Sequence, residues 1–128
     1  MREGTDVTLL GFGKMVGYNL KAAEILEKEG ISCEVINLRS IRPLDRDTVA
    51  ASIRKTHRVV SVEEGWPQHG VGAEMISIAN EDCFDDLDAP PERITGVDVP
   101  MPYAAALEEA ALPHVEDVVR VVKRMVGK

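Results

Sequence analysis

Three short runs rich in β-branched residues recur along this 128-residue chain, and a stretch of helical period follows each one. Residues 7–10, 33–38 and 58–62 read as strands. Residues 15–29, a segment capped by Asp45, and residues 71–80 read as the helices between them. Strands that alternate with helices have few ways to fold. Each helix must carry the chain back over the sheet by a right-handed crossover, so the strands end up parallel and both faces are covered. The expectation is a three-layer α/β/α domain with a mainly parallel sheet of about four to five strands.

Local signals set the limits of these elements. Val16, Leu20, Ala23 and Leu26 form the apolar face of the first helix, and Gly30 supplies its left-handed stop. Asp45 is placed to cap a helix containing Val49, Ala50 and Ile53. Arg39 to Pro43 reads as a loop, and Pro90-Pro91 as a turn before a short fourth strand at 93–95. Residues 99–103 read as extended because two prolines restrict them, and 104–111 as a helical turn or two. The last helix carries one apolar stripe, Val115, Val118, Val119, Val122 and Val126, with Arg120, Lys123 and Arg124 outward.

The third strand runs into a polar loop, Glu63-Glu64-Gly65-Trp66-Pro67-Gln68-His69, and then into a helix. Loops at the carboxyl edge of a parallel sheet are where such folds place their sites. Adjacent residues leaving a strand point to opposite sides, so Glu63 and Glu64 are not expected to share a substrate atom as an acid/base pair. One of them is expected to cap the following turn or to pair with an arginine such as Arg39 or Arg42. His57, His69 and His114 fall into no nucleophile–histidine arrangement, so a self-sufficient catalytic set is not expected. The remaining ligand-binding possibility is a crevice between the first and third strands, lined by Gly13, Lys14, Glu63, Gln68 and His69. That would suit a stand-alone small-molecule-binding domain.

Other chemistries are disfavoured. Gly11-Phe12-Gly13-Lys14-Met15-Val16 has valine where a dinucleotide fingerprint needs its third glycine, and no acid ends the second strand. A phospho-receiver cluster fails because only the third strand ends in acids. Cys33 and Cys83 lie far apart with no CxxC and read as reduced thiols, and no metal site is expected. No run is long and apolar enough for a membrane span, and no secretory leader is expected.

The net charge of -7 is localised. Residues 81–92 hold six acids (Glu81, Asp82, Asp85, Asp86, Asp88, Glu92) and no base. Phosphates would be repelled there, so nucleic acid is not an expected partner. Such a segment is either a solvated loop or a face for a basic partner.

Four segments carry a resemblance: CEVINLRSIRPLDRDT (33–48), VEEGWPQHGVGAE (62–74), LDAPPERITG (87–96) and VDVPMPYA (97–104). Together they resemble the C-terminal domain of pyruvate dehydrogenase beta subunits, a branch of the transketolase C-terminal domain superfamily. GWPQ and DVPMPY are more similar to the pyruvate enzymes than to the branched-chain ones. KMVGYNLKAAEIL and the histidine of WPQHG are more similar to mitochondrial forms, plant or algal.

The resemblance implies a single transketolase C-terminal-like domain over residues 1–128, with strand order 2-1-3-4 and an antiparallel edge strand that is missing or cut short at Met1-Arg2-Glu3-Gly4. It implies that thiamin diphosphate, magnesium and the catalytic residues lie in an N-terminal domain and an alpha subunit, leaving this domain inactive alone. Its implied partners are that alpha subunit, a second beta subunit, and the basic peripheral-subunit-binding domain of a dihydrolipoyl acetyltransferase. Docking would use Asp88, with Asp85, Asp86 and the chain end at Lys128. The loop residues Glu63, Glu64, Trp66, Gln68 and His69 would serve a subunit interface or simply the switch-point turn. The implied location is the mitochondrial matrix, with the bacterial cytoplasm as alternative.

Overall fold

A computed structural model describes residues 2–39, 45–64, 70–96 and 112–127. The expectations for 40–43, 99–103 and 104–111 lie outside them. The strands are β1 (Val7–Gly11), β2 (Cys33–Asn37), β3 (Val59–Val62) and β4 (Glu92–Ile94). The helices are α1 (Lys14–Glu27), α2 (Arg46–Thr56), α3 (Val71–Cys83) and α4 (Val115–Met125). The strands form one sheet in the order β2-β1-β3-β4. All three pairings are parallel: Val7 lies opposite Cys33, Leu9 opposite Val60, and Val62 opposite Ile94. The three-layer expectation and the implied strand order both hold.

Period-two alternation divides the apolar residues between two cores. Val7, Leu9, Cys33, Val35, Val60 and Val62 turn to one face, where α1 and α4 cover them with Met15, Ala22, Leu26, Val118 and Val122. Leu10 and Val59 turn to the other, against Val49, Ile53, Met75 and Ile78 of α2 and α3. Burial of Cys33 pushes its thiol up to about 12, so at neutral pH it stays protonated and acts as a small apolar side chain.

The α2 face also holds a polar chain. Glu34 is buried and accepts from Ser52, Lys55 and, at 3.3 Å, the Gly4 amide. A carboxylate can only accept, so Ser52 spends its hydrogen on Glu34 and must accept from Thr8 at 2.7 Å. Thr8 meets Thr56 at 2.7 Å, and the single Thr56 hydroxyl hydrogen is shared between Thr8 and the Arg58 carbonyl, 2.9 Å away. These bonds run from the outer strand across the central one and fix how α2 sits on the sheet. Burial pushes the Glu34 carboxyl up, but the donors Lys55, Ser52 and Gly4 outweigh it and leave it below the ordinary 4.5.

Helix ends follow their capping chemistry. Asp45 accepts from the Thr48 amide at 3.2 Å, as expected. α1 ends at Glu27, two residues short of the expected 29, and Gly30 at φ 82 turns the chain toward β2. α3 runs three residues past the expected 80, into the acidic segment, and a single 3-10 turn (Phe84–Asp86) follows. On α4 the stripe is broader than expected, because Val121 is buried beside Val118 and Val122.

Of the implied edge strand one antiparallel bridge is present, Arg2 to Val35, with bonds of 3.2 and 2.9 Å. A Cβ on Gly4 would sit 2.2 Å from the Cys33 carbonyl carbon, so only glycine lets the chain pass so close to β2.

Candidate interaction site

The carboxyl edge of the sheet carries Glu63, which follows β3 and is 2% exposed. It accepts from Arg93 of β4 at 3.0 Å and from the Gly72 amide at the start of α3 at 3.1 Å. The expectation of an arginine partner and a capping role is met by one residue, although the arginine is Arg93. Glu64 turns outward and is exposed, so the two do not form a pair of carboxylates on one substrate atom. A Cβ on Gly72 would lie 3.0 Å from Arg93 Nε, Glu63 Oε1 and Ser61 Oγ alike, and glycine is what leaves room for the ion pair.

Of the five residues expected to line the crevice between β1 and β3, Gly13, Lys14 and Glu63 are described. Glu63 is spent on Arg93 and α3, and the Lys14 ammonium lies 5.5 Å from the centre of the Tyr18 ring. Gly13 stands at φ 59 before α1. Trp66, Gln68 and His69 lie outside the described residues, as does Lys128. Among the described residues no group of three or more His, Cys, Asp or Glu side chains is placed to hold a metal ion.

The acidic segment is organised differently from its sequence. Arg46 of α2 reaches Asp82 at 2.6 Å and Glu81 at 2.8 Å, and Arg54 lies 3.8 Å from Asp86. Arg46 hydrogen bonds hold both the Asp82 and the Glu81 carboxyls below their ordinary values. Glu92 pairs with Arg124 of α4 at 2.9 Å. Counting charges along the chain missed these partners because the fold, not the sequence, brings α2 and α4 alongside. Asp85 and Asp88 are exposed and make no ion pair among the described residues. Of the proposed docking residues, these two retain free charge and Asp86 is partly compensated.

Phe84, directly before Asp85, is 70% exposed. With Asn80, Leu87, Asp88, Ala89, Pro90 and Pro91 it lines a groove of about 440 Å³. Sequence reasoning missed Phe84, and its signal was an aromatic residue inside a charged run. The turn is tied to the end of α2 by two hydrogen bonds. His57, the left-handed end of α2 at φ 64, accepts the Asp88 amide on its carbonyl at 2.8 Å. Its Nδ1 meets the Asp86 carbonyl at 2.6 Å; that oxygen can only accept, so Nδ1 carries the hydrogen.

Comparison with known proteins places this geometry. The family model described as "Transketolase, C-terminal domain" matches residues 1–118. The chain is 68% identical over 123 residues to the mitochondrial pyruvate dehydrogenase E1 component subunit beta of Pisum sativum, covering 96% of this chain and 34% of that protein. It is 50% identical over 124 residues to the corresponding Homo sapiens subunit, again covering 96% and 34%. The chain therefore spans about a third of the length of the curated relatives it matches. Among solved structures it is similar to a split-gene transketolase, an inactive beta4 tetramer. The TM-score is 0.84 at 31% identity, over 98% of this chain and 41% of that one.

Proposed function

The chain belongs to the transketolase C-terminal domain family, and from that premise we propose that it is the C-terminal domain of a mitochondrial pyruvate dehydrogenase beta subunit, serving assembly rather than chemistry. The likeness to the pea subunit, 68% over nearly the whole chain, carries this reading. The mitochondrial names of the plant and animal relatives support the matrix as its location. In the complete enzyme, which would decarboxylate pyruvate oxidatively, the alpha subunit and a second beta subunit are its partners.

Thiamin diphosphate and magnesium are bound outside this domain. The buried carboxylate at the sheet's carboxyl edge, Glu63, is paired with Arg93 and so is not offered to a metal ion. Titration of the chain with thiamin diphosphate and magnesium is expected to give no heat of binding, and the chain alone no turnover of pyruvate. Turnover without an alpha subunit overturns the assignment.

The assembly role centres on the turn at 84–88, which would receive the basic peripheral-subunit-binding domain of a dihydrolipoyl acetyltransferase. Two carboxylates with no ion pair among the described residues, on a turn hydrogen-bonded to His57, attract a basic surface, raise its association rate and make binding salt-sensitive. Asp88→Lys is expected to weaken that binding at least tenfold at low salt. Unchanged affinity at low salt rejects this face as the docking site.

A further inference from the structure

We propose that the first turn of α1 binds inorganic phosphate, with the buried amide of Asn19 as its discriminating contact. The inference goes beyond the assembly role and does not depend on it. The strand order β2-β1-β3-β4 puts the reversal of chain direction between β1 and β3, and open parallel sheets bind ligands outside the carboxyl ends of the strands at that point. α1 starts there, directly after β1. Its first amides have no intrahelical acceptor, and its amino end carries partial positive charge. α2 meets that charge with Asp45, α3 with Glu63 on the Gly72 amide, and α4 with Glu116 and Asp117. α1 has neither a side-chain cap nor an acid in its first turn. Lys14 stands exposed at that turn and forms no ion pair among the described residues. No described atom lies within 4 Å of where a Cβ on Gly13 would be, so the turn has room beside it.

A helix end alone attracts any anion weakly; Asn19 is what selects one. Its side chain leans back toward the start of α1, as helical side chains do. Its Nδ2 lies 2.8 Å from the position of a Cβ on Gly11, a point 3.5 Å from the Val62 carbonyl oxygen and 3.6 Å from the Met15 carbonyl carbon. The amide therefore sits where β1 and β3 end and α1 begins. It is fully buried, and among the described residues neither Nδ2 nor Oδ1 has a partner. Nδ2 needs an acceptor and Oδ1 a donor. Inorganic phosphate supplies both, because at neutral pH it carries at least one hydrogen beside its charged oxygens. Sulfate carries none and leaves Oδ1 unpaired. Thiamin diphosphate chelated by magnesium gives its oxygens to the metal and is not a ligand of this site.

Titration of the full chain with sodium phosphate and with sodium sulfate at equal ionic strength, followed by calorimetry and by amide proton–nitrogen spectra, tests this. Phosphate is expected to bind about tenfold more tightly than sulfate, the discrimination that one unpaired buried group imposes. It should shift the side-chain amide signals of Asn19 and the backbone amides of Lys14 and Met15. Asn19→Ala is expected to lose the preference for phosphate and to bind both anions as weakly as the wild type binds sulfate. Circular dichroism melting checks that this variant stays folded. Lys14→Gln changes an exposed side chain that packs into neither core, so its fold is not at risk. It is expected to weaken both anions alike and to flatten their salt dependence. Equal binding of phosphate and sulfate overturns the proposal, as does an Asn19→Ala variant that binds phosphate as the wild type does. Spectra unmoved by millimolar phosphate overturn it as well. None of these outcomes bears on the docking role.

Discussion

His57 holds Asp88 by its backbone: the Asp88 amide donates to the His57 carbonyl at 2.8 Å, across 31 residues of sequence. The left-handed φ of 64 at His57 aims that carbonyl, and the ring secures Asp86 as well. One residue thus ends α2 and positions the acidic turn.

Replacing His57 separates those two jobs. Glycine adopts a positive φ freely, whereas alanine pays about 1 kcal/mol or more for it. Both lose the bond from the ring to Asp86, worth about 1 kcal/mol. His57→Gly is therefore expected to be more stable than His57→Ala in urea unfolding. Both should show faster amide hydrogen exchange at Asp88 than the wild type. Equal stability of the two variants contradicts the strain argument.

Glu63 and Arg93 form a pair whose halves need each other. Arg93→Ala leaves a 2%-exposed carboxylate without its cation, and unfolding free energy is expected to fall by about 3 kcal/mol. Adding Glu63→Gln to that variant should recover part of the loss, since an uncharged amide can still accept from Gly72. If the double variant is no better than Arg93→Ala, the cost lies in packing and not in charge.

Asn19 on α1 is fully buried, and among the described residues neither polar atom of its side-chain amide has a hydrogen-bond partner. Its nitrogen crowds Gly11, within 2.8 Å of where a Cβ would be. An unpaired buried amide costs about 1–3 kcal/mol. Asn19→Ala removes that cost against a small cavity, so denaturant unfolding is expected to show a gain of about 1 kcal/mol. A loss of similar size contradicts the reading.

Acid should destabilise the α2 face. Glu34 in the folded chain titrates below the ordinary 4.5, so the unfolded chain binds more protons at mildly acidic pH. Its contribution is full above that value and lost as pH falls through the folded one. Asp82 and Glu81, lowered by Arg46, act with the same sign but on the surface. Stability measured from neutral to strongly acid pH is expected to drop more steeply in wild type than in Glu34→Gln. Parallel curves exclude Glu34 as the source.

The layers and the alternation of strands and helices were legible in sequence because period and capping are local. Val7 and Leu9 on one face, with Thr8 and Leu10 on the other, can be read from spacing alone. The resemblance supplied the strand order, which depends on which crossover goes left or right of β1 and which no local pattern states. Partner choice was also hidden. Glu63 takes Arg93, 30 positions away, and Arg46 takes Asp82, 36 away, so the acidic run looked more highly charged than it is. Phe84 escaped notice because a single aromatic residue gives no period.

The central sheet keeps the two cores apart, so the α1/α4 layer and the α2/α3 layer share few side-chain neighbours. Changes in layers that do not touch add their costs independently. One side of the domain can therefore drift while the other is held constant. The turn around Asp88 hangs from α2 and α3, and natural variation in α1 and α4 can reshape the opposite surface without disturbing it.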